Sequence, residues 1–498
     1  MNKRIKFIPI LLAVLLLVGV FTACSKKTED TTQQTTVAQE VDSKAEALGA
    51  QSDITVNTDG ATVITLNKTS ASIEGDGAQA DGSDVLITAA GTYVLSGSLA
   101  DGRVLVNADG ENVTLVFDGV DITCADSSPL YVYQAKSVVL YLQKDSKNSL
   151  TDGSKYVYTD SYSSEADEEP SACIYAKDDL SIAGSGALTL KANYHNGIVS
   201  KDTLYIENAA INIQAANNGI TGKDALSIRK ATITVKAGGD ALRATNDTDT
   251  ALGYILIASS NLSLSAAEDG VQAQTYVSIA DSKLNVKAGG GSAQTPNEST
   301  STKGIKAETN IDIKGGTLNI DTSDDGIHAG ETIRIAEAAT TIATGDDGIH
   351  ADNSLIIHSG KLTIEGHEGL EATYITINGG TIAITASDDG INAAKKIEGS
   401  TPKVEINGGD ITIDMGQGDT DAIDSNGDII INDGTINITA QSPFDYDNTG
   451  ELNGGTVYVN GEKVSEMTSQ FGGGMGGGMG APGGQGGEGG PGGMRGAR

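Results

Sequence analysis

The sequence SDDGIHA occurs at Ser323–Ala329 and returns as GDDGIHA at Gly345–Ala351. A variant, HEGLEA, follows at His367–Ala372, and SDDGINA occupies Ser387–Ala393. The anchor glycines of successive copies stand 22, 21 and 21 residues apart. A fixed step of this size is typical of a solenoid, in which each repeat forms one coil and stacks on the next.

The repeat extends over most of the chain. Each copy contains β-branched runs such as TLNI (317–320) and TIRI (332–335) between corners rich in Gly and Asn, and helical periodicity is nearly absent. Three short strands per 21–22 residues predict an all-β parallel β-helix of on the order of a dozen coils, stacked about 4.8 Å apart. Leucine-rich repeats and the calcium-binding β-roll do not fit, because the LxxLxLxxN pattern is missing and the β-roll period is far shorter. The anchor position continues at Gly197, Gly219, Ala241, Gly270, Gly304 and Ala422.

The N-terminus has the features of an export signal. Three basic residues within positions 3–6 precede an apolar run at 8–21, which is too short for a stable membrane span. The small residues before Cys24 resemble a lipoprotein cleavage site. We therefore predict a signal peptide at 1–23, lipid attachment at Cys24 and a location on the outer face of the cytoplasmic membrane. An uncleaved N-terminal anchor is the alternative.

Composition divides the rest of the chain into three parts. Residues 24–51 are polar and predict a flexible tether, while 461–498 form a tail rich in Gly and Met. The β-helix domain is predicted over 52–460, with its first β-branched run at 54–56. Insertions that interrupt the rhythm should leave the stack as loops, and they fall at Tyr156–Pro170, Asn246–Tyr254, Gly289–Ser301 and Ala394–Lys403.

The formal net charge of −33 limits the possible partners. A chain this acidic is not expected to bind nucleic acid, and it repels anionic ligands unless cations bridge the two. The mature chain would keep two further cysteines, Cys124 and Cys173. Two cysteines do not make a disulfide framework, and we expect buried free thiols.

Stacking the copies places equivalent residues directly above one another. The residue after the anchor is apolar in every repeat and should point into the core. The position before the anchor, here called the acidic column, reads Asn196, Asn218, Asp240, Asp269, Lys303, Asp325, Asp347, Glu368, Asp389 and Asp421. One position earlier the residues are Glu268, Thr302, Asp324, Asp346, His367 and Asp388. Two positions after the anchor they are Thr221, Arg243, Gln272, Lys306, His328, His350, Glu371, Asn392 and Asp424.

Carboxylates stacked about 5 Å apart repel one another unless protons, basic side chains or metal ions offset the charge. Oxygen ligands on irregular corners suit calcium better than magnesium, which demands a strict octahedron. Two stacked histidines without cysteine make a zinc site unlikely on chemical grounds. The alternative is that Asp-Gly pairs merely form turns, or that any calcium is structural. The predicted calcium ligands are Asp324, Asp325, Asp346, Asp347, Glu368, Asp388 and Asp389.

Four basic or imidazole side chains beside the acidic column are candidates for carbohydrate binding. Lys303 and Lys306 lie one repeat before Asp325, and they either cap the column electrostatically or pair with a sugar carboxylate. His328 and His350 stack in the same outward row and could donate to a ligand. No catalytic residue is assigned.

Several stretches resemble a family of clostridial and related exported proteins that contain a carbohydrate-binding domain. The resemblance covers roughly 53–460 and rests on AGTYVLSG (90–97), LVFDGVDITCADSSPLYV (115–132), GIVSKDTLYI (197–206) and the DDGIHA copies. It implies a right-handed parallel β-helix like that of polysaccharide lyases, calcium, and binding of acidic plant polysaccharide such as polygalacturonate, with cellulose also proposed. Cellulose fits less well, because the chain has no Trp for gripping a flat glucan.

Three functions follow from these patterns. The first is a monomeric, surface-tethered protein that binds acidic polysaccharide, with calcium bridging protein and sugar carboxylates. The second is a calcium-dependent pectate lyase, for which Lys306, Lys303 or Arg334 would be the base. We rank it second because the fold alone does not establish an activity. The third is an adhesin rod with purely structural calcium.

Overall fold

The computed structural model describes residues 47–296, 299–416 and 420–468. The predicted signal peptide, Cys24, most of the tether and the Gly-rich tail from 469 onward lie outside these residues. The described chain contains a short helical turn at 47–49 and 45 strands. None of its helical segments is both long and apolar enough to pass through a membrane.

The strands of the N-terminal half alternate with turns over the whole length. In chain order they are β1 (Thr62–Lys68), β2 (Ala71–Glu74), β3 (Ala78–Asp81), β4 (Asp84–Ile87), β5 (Gly91–Leu99), β6 (Val104–Asn107), β7 (Asn112–Cys124), β8 (Leu130–Gln134), β9 (Ser137–Leu142), β10 (Lys147–Asp152), β11 (Ala172–Ala176), β12 (Leu180–Ala183), β13 (Ala187–Ala192), β14 (Asn196–Ser200), β15 (Thr203–Glu207), β16 (Ala210–Ala215), β17 (Ile220–Gly222), β18 (Ala225–Arg229), β19 (Thr232–Ala237), β20 (Leu242–Ala244), β21 (Tyr254–Ala258), β22 (Asn261–Ala266) and β23 (Val271–Ala273).

The C-terminal half repeats the same pattern of short strands. These are β24 (Val277–Ala280), β25 (Lys283–Ala288), β26 (Ile305–Ala307), β27 (Asn310–Lys314), β28 (Thr317–Thr322), β29 (Ile327–Ala329), β30 (Thr332–Ala336), β31 (Ala339–Thr344), β32 (Ile349–Ile357), β33 (Lys361–Gly366), β34 (Leu370–Ile377), β35 (Thr381–Ala386), β36 (Ile391–Ala393), β37 (Lys403–Ile406), β38 (Asp410–Met415), β39 (Asp421–Ser425), β40 (Asp428–Ile431), β41 (Thr435–Thr439), β42 (Ser442–Tyr446), β43 (Thr449–Leu452), β44 (Thr456–Val459) and β45 (Glu462–Val464).

Each strand pairs with the equivalent strand of the next repeat, so the described chain is a parallel, all-β solenoid. Ile327 pairs with Ile305 before it and with Ile349 after it, a step of 22 residues in each direction. The named strands pair in parallel except for β1–β2, β3–β4 and β44–β45, which are antiparallel. These antiparallel pairs lie near the two ends of the described chain.

The core runs along the inside of the stack as one continuous cluster from Ile64 to Met467. Alternation along each strand sends every second side chain inward, and the inward set is almost entirely Ile, Leu, Val and Ala. The prediction for the residue after the anchor is confirmed, because Ile305, Ile327 and Ile349 are all fully buried. Cys124 and Cys173 are buried free thiols, as predicted.

The anchor glycines are required by close stacking and not by a left-handed backbone. A Cβ atom on Gly326 would lie 2.5 Å from the carbonyl oxygen of Gly348, and one on Gly348 would lie 2.5 Å from that of Gly369. Neither Gly326 nor Gly348 has a positive φ. The glycine therefore leaves room for the next repeat, whereas turn chemistry alone would have predicted a positive φ.

The chain at the start of the predicted domain packs on the solenoid without forming a strand. The run at 54–56 forms no strand, and the first strand begins at Thr62. Leu48, which falls inside the predicted tether, is only 3% exposed. The chain from 48 to 54 therefore packs against the solenoid before the first repeat begins.

One inward position carries a hydroxyl group that the core does not satisfy. Thr340 stacks between Leu318 and Leu362, is 2% exposed, and its Oγ1 has no hydrogen-bond partner among the described residues. We expect Thr340→Val to raise the free energy of unfolding by about 1 kcal/mol, because valine keeps the shape and removes the buried polar atom. Thermal unfolding measures the change. The matched control is Thr341→Val, at an exposed neighbour on the same strand; equal effects at both positions would contradict this explanation.

Candidate functional site

Parallel pairing brings the predicted outward row together in register. Lys306 pairs with His328, His328 with His350, and His350 with Glu371. The row then continues to Asn392 and Asp424. The strands β26, β29, β32, β34, β36 and β39 therefore hold these side chains one above the other, as the spacing of the motif predicted.

The acidic column has a structural role that the sequence did not reveal. In several repeats, one side-chain oxygen accepts a hydrogen bond from the backbone N–H of the equivalent residue in the next repeat. The donor and acceptor pairs are Asn218 N to Asn196 Oδ1 (3.2 Å), Asp240 N to Asn218 Oδ1 (2.9 Å), Asp269 N to Asp240 Oδ1 (3.0 Å), Lys303 N to Asp269 Oδ1 (2.7 Å), Asp347 N to Asp325 Oδ1 (3.3 Å) and Asp421 N to Asp389 Oδ1 (3.1 Å). In each of these aspartates one carboxylate oxygen is therefore engaged by the backbone, although Asp269 Oδ1 also accepts from the hydroxyl of Ser301.

Lys303 acts as a counter-ion inside the column. Its Nζ lies 2.7 Å from Asp324 Oδ1 and 2.6 Å from Asp325 Oδ2. Burial opposes ionisation of Asp325, but the hydrogen bond from His328 and the charge of Lys303 outweigh it and hold the pKa of this carboxyl well below its usual range. Lys303 therefore neutralises the first paired-Asp copy, which is the capping role considered for it.

The two stacked histidines contact the acidic column, with ring centroids 4.7 Å apart. His328 Nδ1 lies 2.8 Å from Asp325 Oδ2. His350 Nδ1 lies 3.0 Å from Asp347 Oδ2 and 3.1 Å from Glu371 Oε2. Burial disfavours the charged ring, but the hydrogen bond to Asp347 and the charge of Glu371 prevail and raise the pKa of His350. A cationic imidazole between two carboxylates is therefore favoured.

Lys396 is a residue of the site that sequence reasoning missed. It lies in the predicted insertion Ala394–Lys403 and returns to the column, where its Nζ is 2.7 Å from Glu371 Oε1. Glu371 is 5% exposed, and its burial, partly offset by Lys396, raises the pKa of its carboxyl. The insertion was expected to decorate a corner, and no periodic signal indicates that its lysine folds back.

The carboxylates beyond Lys303 repel one another. Burial, followed by the charges of Asp347 and Glu371, raises the pKa of Glu368 to about 8. Burial also raises the pKa of Asp389 to about 6 and that of Asp424 to about 7, with neighbouring carboxylates adding to both shifts. These groups favour a proton or a cation, in contrast to Asp325.

Four groups of three side chains bring possible ligand atoms within 4.8 Å of one another. The group of Asp324, Asp325 and Asp346 consists only of carboxylates, which is the donor chemistry that calcium prefers. Asp389 belongs to none of the four, and Lys306 is 3.4 Å from Glu308 Oε1, outside the column. The groups are Asp324, Asp325 and Asp346; Asp325, His328 and His350; Asp347, His350 and Glu371; and His367, Glu368 and Asp388.

Comparison with known proteins assigns the chain to a protein family. The family model described as carbohydrate-binding domain-containing protein matches residues 81–348 and 344–470. A relative from Acetivibrio thermocellus with the same description is 39% identical over 141 residues, which are 28% of this chain and 48% of the relative. The chain thus spans about half the length of that relative.

A solved structure of a polysaccharide lyase-like protein from C. thermocellum, a gadolinium derivative, is 32% identical. It aligns with a TM-score of 0.42 over 45% of this chain and 90% of its own. The matches to the family model take in most of the repeats described above, and the protein belongs to the carbohydrate-binding domain-containing family.

Proposed function

We propose that this protein is a calcium-dependent carbohydrate-binding protein for acidic polysaccharide such as polygalacturonate or pectin. The proposed framework is a right-handed parallel β-helix with about 21–22 residues per coil. The proposed location is the outer face of the cytoplasmic membrane, with a lipid on Cys24, and the proposed oligomeric state is a monomer. The membership of a carbohydrate-binding family supports the general class of ligand.

The clustering of carboxylates around Glu368 is the observation that carries this proposal. Burial is the largest cause of the raised pKa of Glu368, and the charges of Asp347 and Glu371 add to it. Ionised Glu368 therefore adds to an excess of negative charge. A divalent cation offsets that excess and keeps coordination positions open for the carboxylates of a ligand. An acidic protein can bind an acidic glycan in this way.

The residues present fit calcium in two respects. Asp324, Asp325 and Asp346 offer an all-oxygen group on corners between strands, and calcium takes about six to eight oxygens at variable angles. Lys303 Nζ now lies 2.7 Å from Asp324 and 2.6 Å from Asp325, so calcium in this group would take the place of the ammonium and leave Lys303 to pair with the ligand. Glu368 and Asp388 extend the acidic surface toward the next repeat. In this proposal calcium supplies the charge that holds a sugar carboxylate, while Lys303, Lys306, His328 and His350 donate hydrogen bonds to the glycan.

A lyase is the second candidate, and the positions of two lysines support it. Lys303 and Lys396 both lie among carboxylates, where the base of a β-elimination would be needed. However, Asp325 raises the pKa of Lys303, and Glu371 raises that of Lys396, although burial acts in the opposite direction in both cases. Protonated lysines cannot accept the proton next to the uronate carboxylate, so binding remains the first candidate.

We expect the protein to be retained on immobilised polygalacturonate when calcium is present and to be released by EDTA. Asp346→Asn should weaken retention at least several-fold, because it removes one carboxylate from the all-oxygen group. Glu365→Gln is the matched control, since Glu365 is exposed on the adjacent strand and belongs to none of the four groups. Retention that survives chelation would contradict the proposal, and calcium-dependent melting without retention would indicate a structural rod.

The metal-free protein should lose stability as the pH rises from about 4.5 to about 8. The pKa of Glu368 is raised from 4.5 to about 8 in the folded state, so the folded state binds this proton more tightly than the unfolded state. The stabilisation is complete below the unfolded pKa and disappears as the pH passes the folded pKa.

Glu368→Gln should reduce the loss of stability between about pH 4.5 and about pH 8, and it should raise the melting temperature in EDTA at pH 9 by about 1–3 °C. Thermal unfolding across pH measures it, with Glu365→Gln as control. Parallel curves for wild type and Glu368→Gln would show that Glu368 does not carry the charge excess.

Incubation with polygalacturonate and calcium should give no unsaturated product that absorbs in the ultraviolet, because carboxylate partners hold Lys303 and Lys396 protonated. Product that forms with the wild type and disappears in Lys396→Met, while calcium-dependent retention persists, would establish the lyase instead.

A further inference from the structure

The N-terminal segment 48–54 lies across the outward face of a different sheet, formed by β15, β18, β21 and β24. Leu48 is 3% exposed and packs with Leu256 and Ala258 in a small apolar cluster. Tyr205, Tyr254 and Tyr276 pack against the same cluster. This face lies apart from the acidic column, whose neighbouring row is on β26, β29 and β32.

The polar end of the segment makes ion pairs with the same face. Asp53 Oδ1 lies 3.0 Å from Arg229 Nη2 and 2.8 Å from Lys230 Nζ. The backbone N–H of Ile54 donates to Glu207 Oε1. The segment therefore places one carboxylate and one apolar side chain on the face, at separate points.

Arg229 is incompletely satisfied beneath the segment. Its side chain is fully buried, its Nη2 also lies 2.6 Å from Glu207 Oε2, and its Nε donates to the hydroxyl of Tyr205. Nη1 is buried with no hydrogen-bond partner among the described residues. Arg229 and Lys230 both donate to Asp53 Oδ1, whereas a guanidinium can donate to both oxygens of one carboxylate through two parallel N–H groups.

The other end of the face is aromatic. The rings of Tyr254 and Tyr276 stack with centroids 4.9 Å apart and planes 7° apart. Tyr254 pairs with Ala225, which is four residues from Arg229 on β18, so about 13 Å separates the two ends along the strand. The stacked tyrosines turn their ring faces toward each other and offer ring edges and hydroxyl groups to a ligand. Their distance from the cation pair fits an oligosaccharide of a few residues with a carboxylate at one end.

We propose that this face is a second glycan-binding site, which takes a carboxylate-bearing oligosaccharide and which residues 48–54 occupy in its absence. Asp53 stands in for the sugar carboxylate, and Leu48 stands in for the apolar face of a sugar ring. At the end of the face formed by Arg229 and Lys230, these two cations outnumber Glu207, so once uncovered this end attracts an anion without any calcium. A ligand carboxylate that also engages Nη1 completes the hydrogen bonds that Asp53 leaves unmade.

The test releases the segment in the full-length protein by substituting Leu48→Ser and Asp53→Ala together. Binding of a trigalacturonate probe is measured in EDTA by calorimetry, so that the calcium site of the proposed function is silent. The double variant should bind at least about tenfold more tightly than the wild type, because the closed segment lowers the fraction of competent protein. Asp53→Ala alone, which keeps the Leu48 contact, should give a smaller gain, and an unchanged circular dichroism spectrum verifies the fold of each variant.

Two controls assign the gain to this face. Adding Lys230→Ala to the double variant should abolish it, because the exposed cation is lost while Arg229 and Glu207 keep their ion pair. A peptide with the sequence of residues 47–55 should compete with trigalacturonate. Equal affinity of wild type and double variant would overturn the proposal, and so would a double variant that binds the peptide but not the sugar.

Discussion

Parallel backbone pairing between successive repeats is the constraint on which the rest of the structure depends. It places each residue directly above its equivalent in the previous repeat, as in the series Ile305, Ile327 and Ile349. The anchor glycines make this possible, because a Cβ atom on Gly326 would collide with the carbonyl oxygen of Gly348. Any residue type that recurs in the motif therefore forms a continuous row. An apolar row extends the core, whereas a row of like charges is repulsive.

In the acidic column, repetition provides a backbone hydrogen bond in several repeats and also stacks like charges. One oxygen of an Asn or Asp at this position satisfies a backbone N–H of the next repeat, so the position favours a short side chain with an oxygen. Asn196 and Asn218 meet this need without charge, whereas Asp240 and Asp389 meet it with a carboxylate whose pKa burial raises to about 6. The aspartates thus carry a charge that the backbone hydrogen bond does not require, and in Asp240 a neighbouring Arg243 offsets it.

Charge compensation differs between two places along the column. Lys303 and His328 compensate Asp325 so well that the pKa of this carboxyl is lowered. Farther along, Glu368 remains under-compensated in spite of His350 and Lys396 nearby, and its pKa rises to about 8. The same repeated motif therefore produces two electrostatic environments, one already neutral and one that favours an added cation.

The sequence alone predicted the structural features that the repeat determines. The spacing of the DDGIHA copies predicted the parallel all-β fold, the inward isoleucines and the register of Lys306, His328 and His350, because stacking is a translation by one repeat. It could not show that one carboxylate oxygen is used by the backbone, since that depends on the orientation of each side chain. The β-branched run at 54–56 forms no strand, because the described chain pairs it with no neighbouring strand and the N–H of Ile54 donates to the side chain of Glu207.

Segments outside the repeat supply counter-charges to the stacked side chains. A motif copied in every repeat stacks like charges, so an opposite charge comes either from a substituted repeat position, as Lys303 does beside Asp325, or from a segment outside the repeat. Lys396 reaches Glu371 from an insertion, and Asp53 reaches Arg229 from the N-terminal segment. Each is an ion pair between a repeat position and a non-repeating segment. Both proposed binding sites use this arrangement: the repeat holds one charge in place, and the charge that a ligand would replace comes from a segment outside the stack.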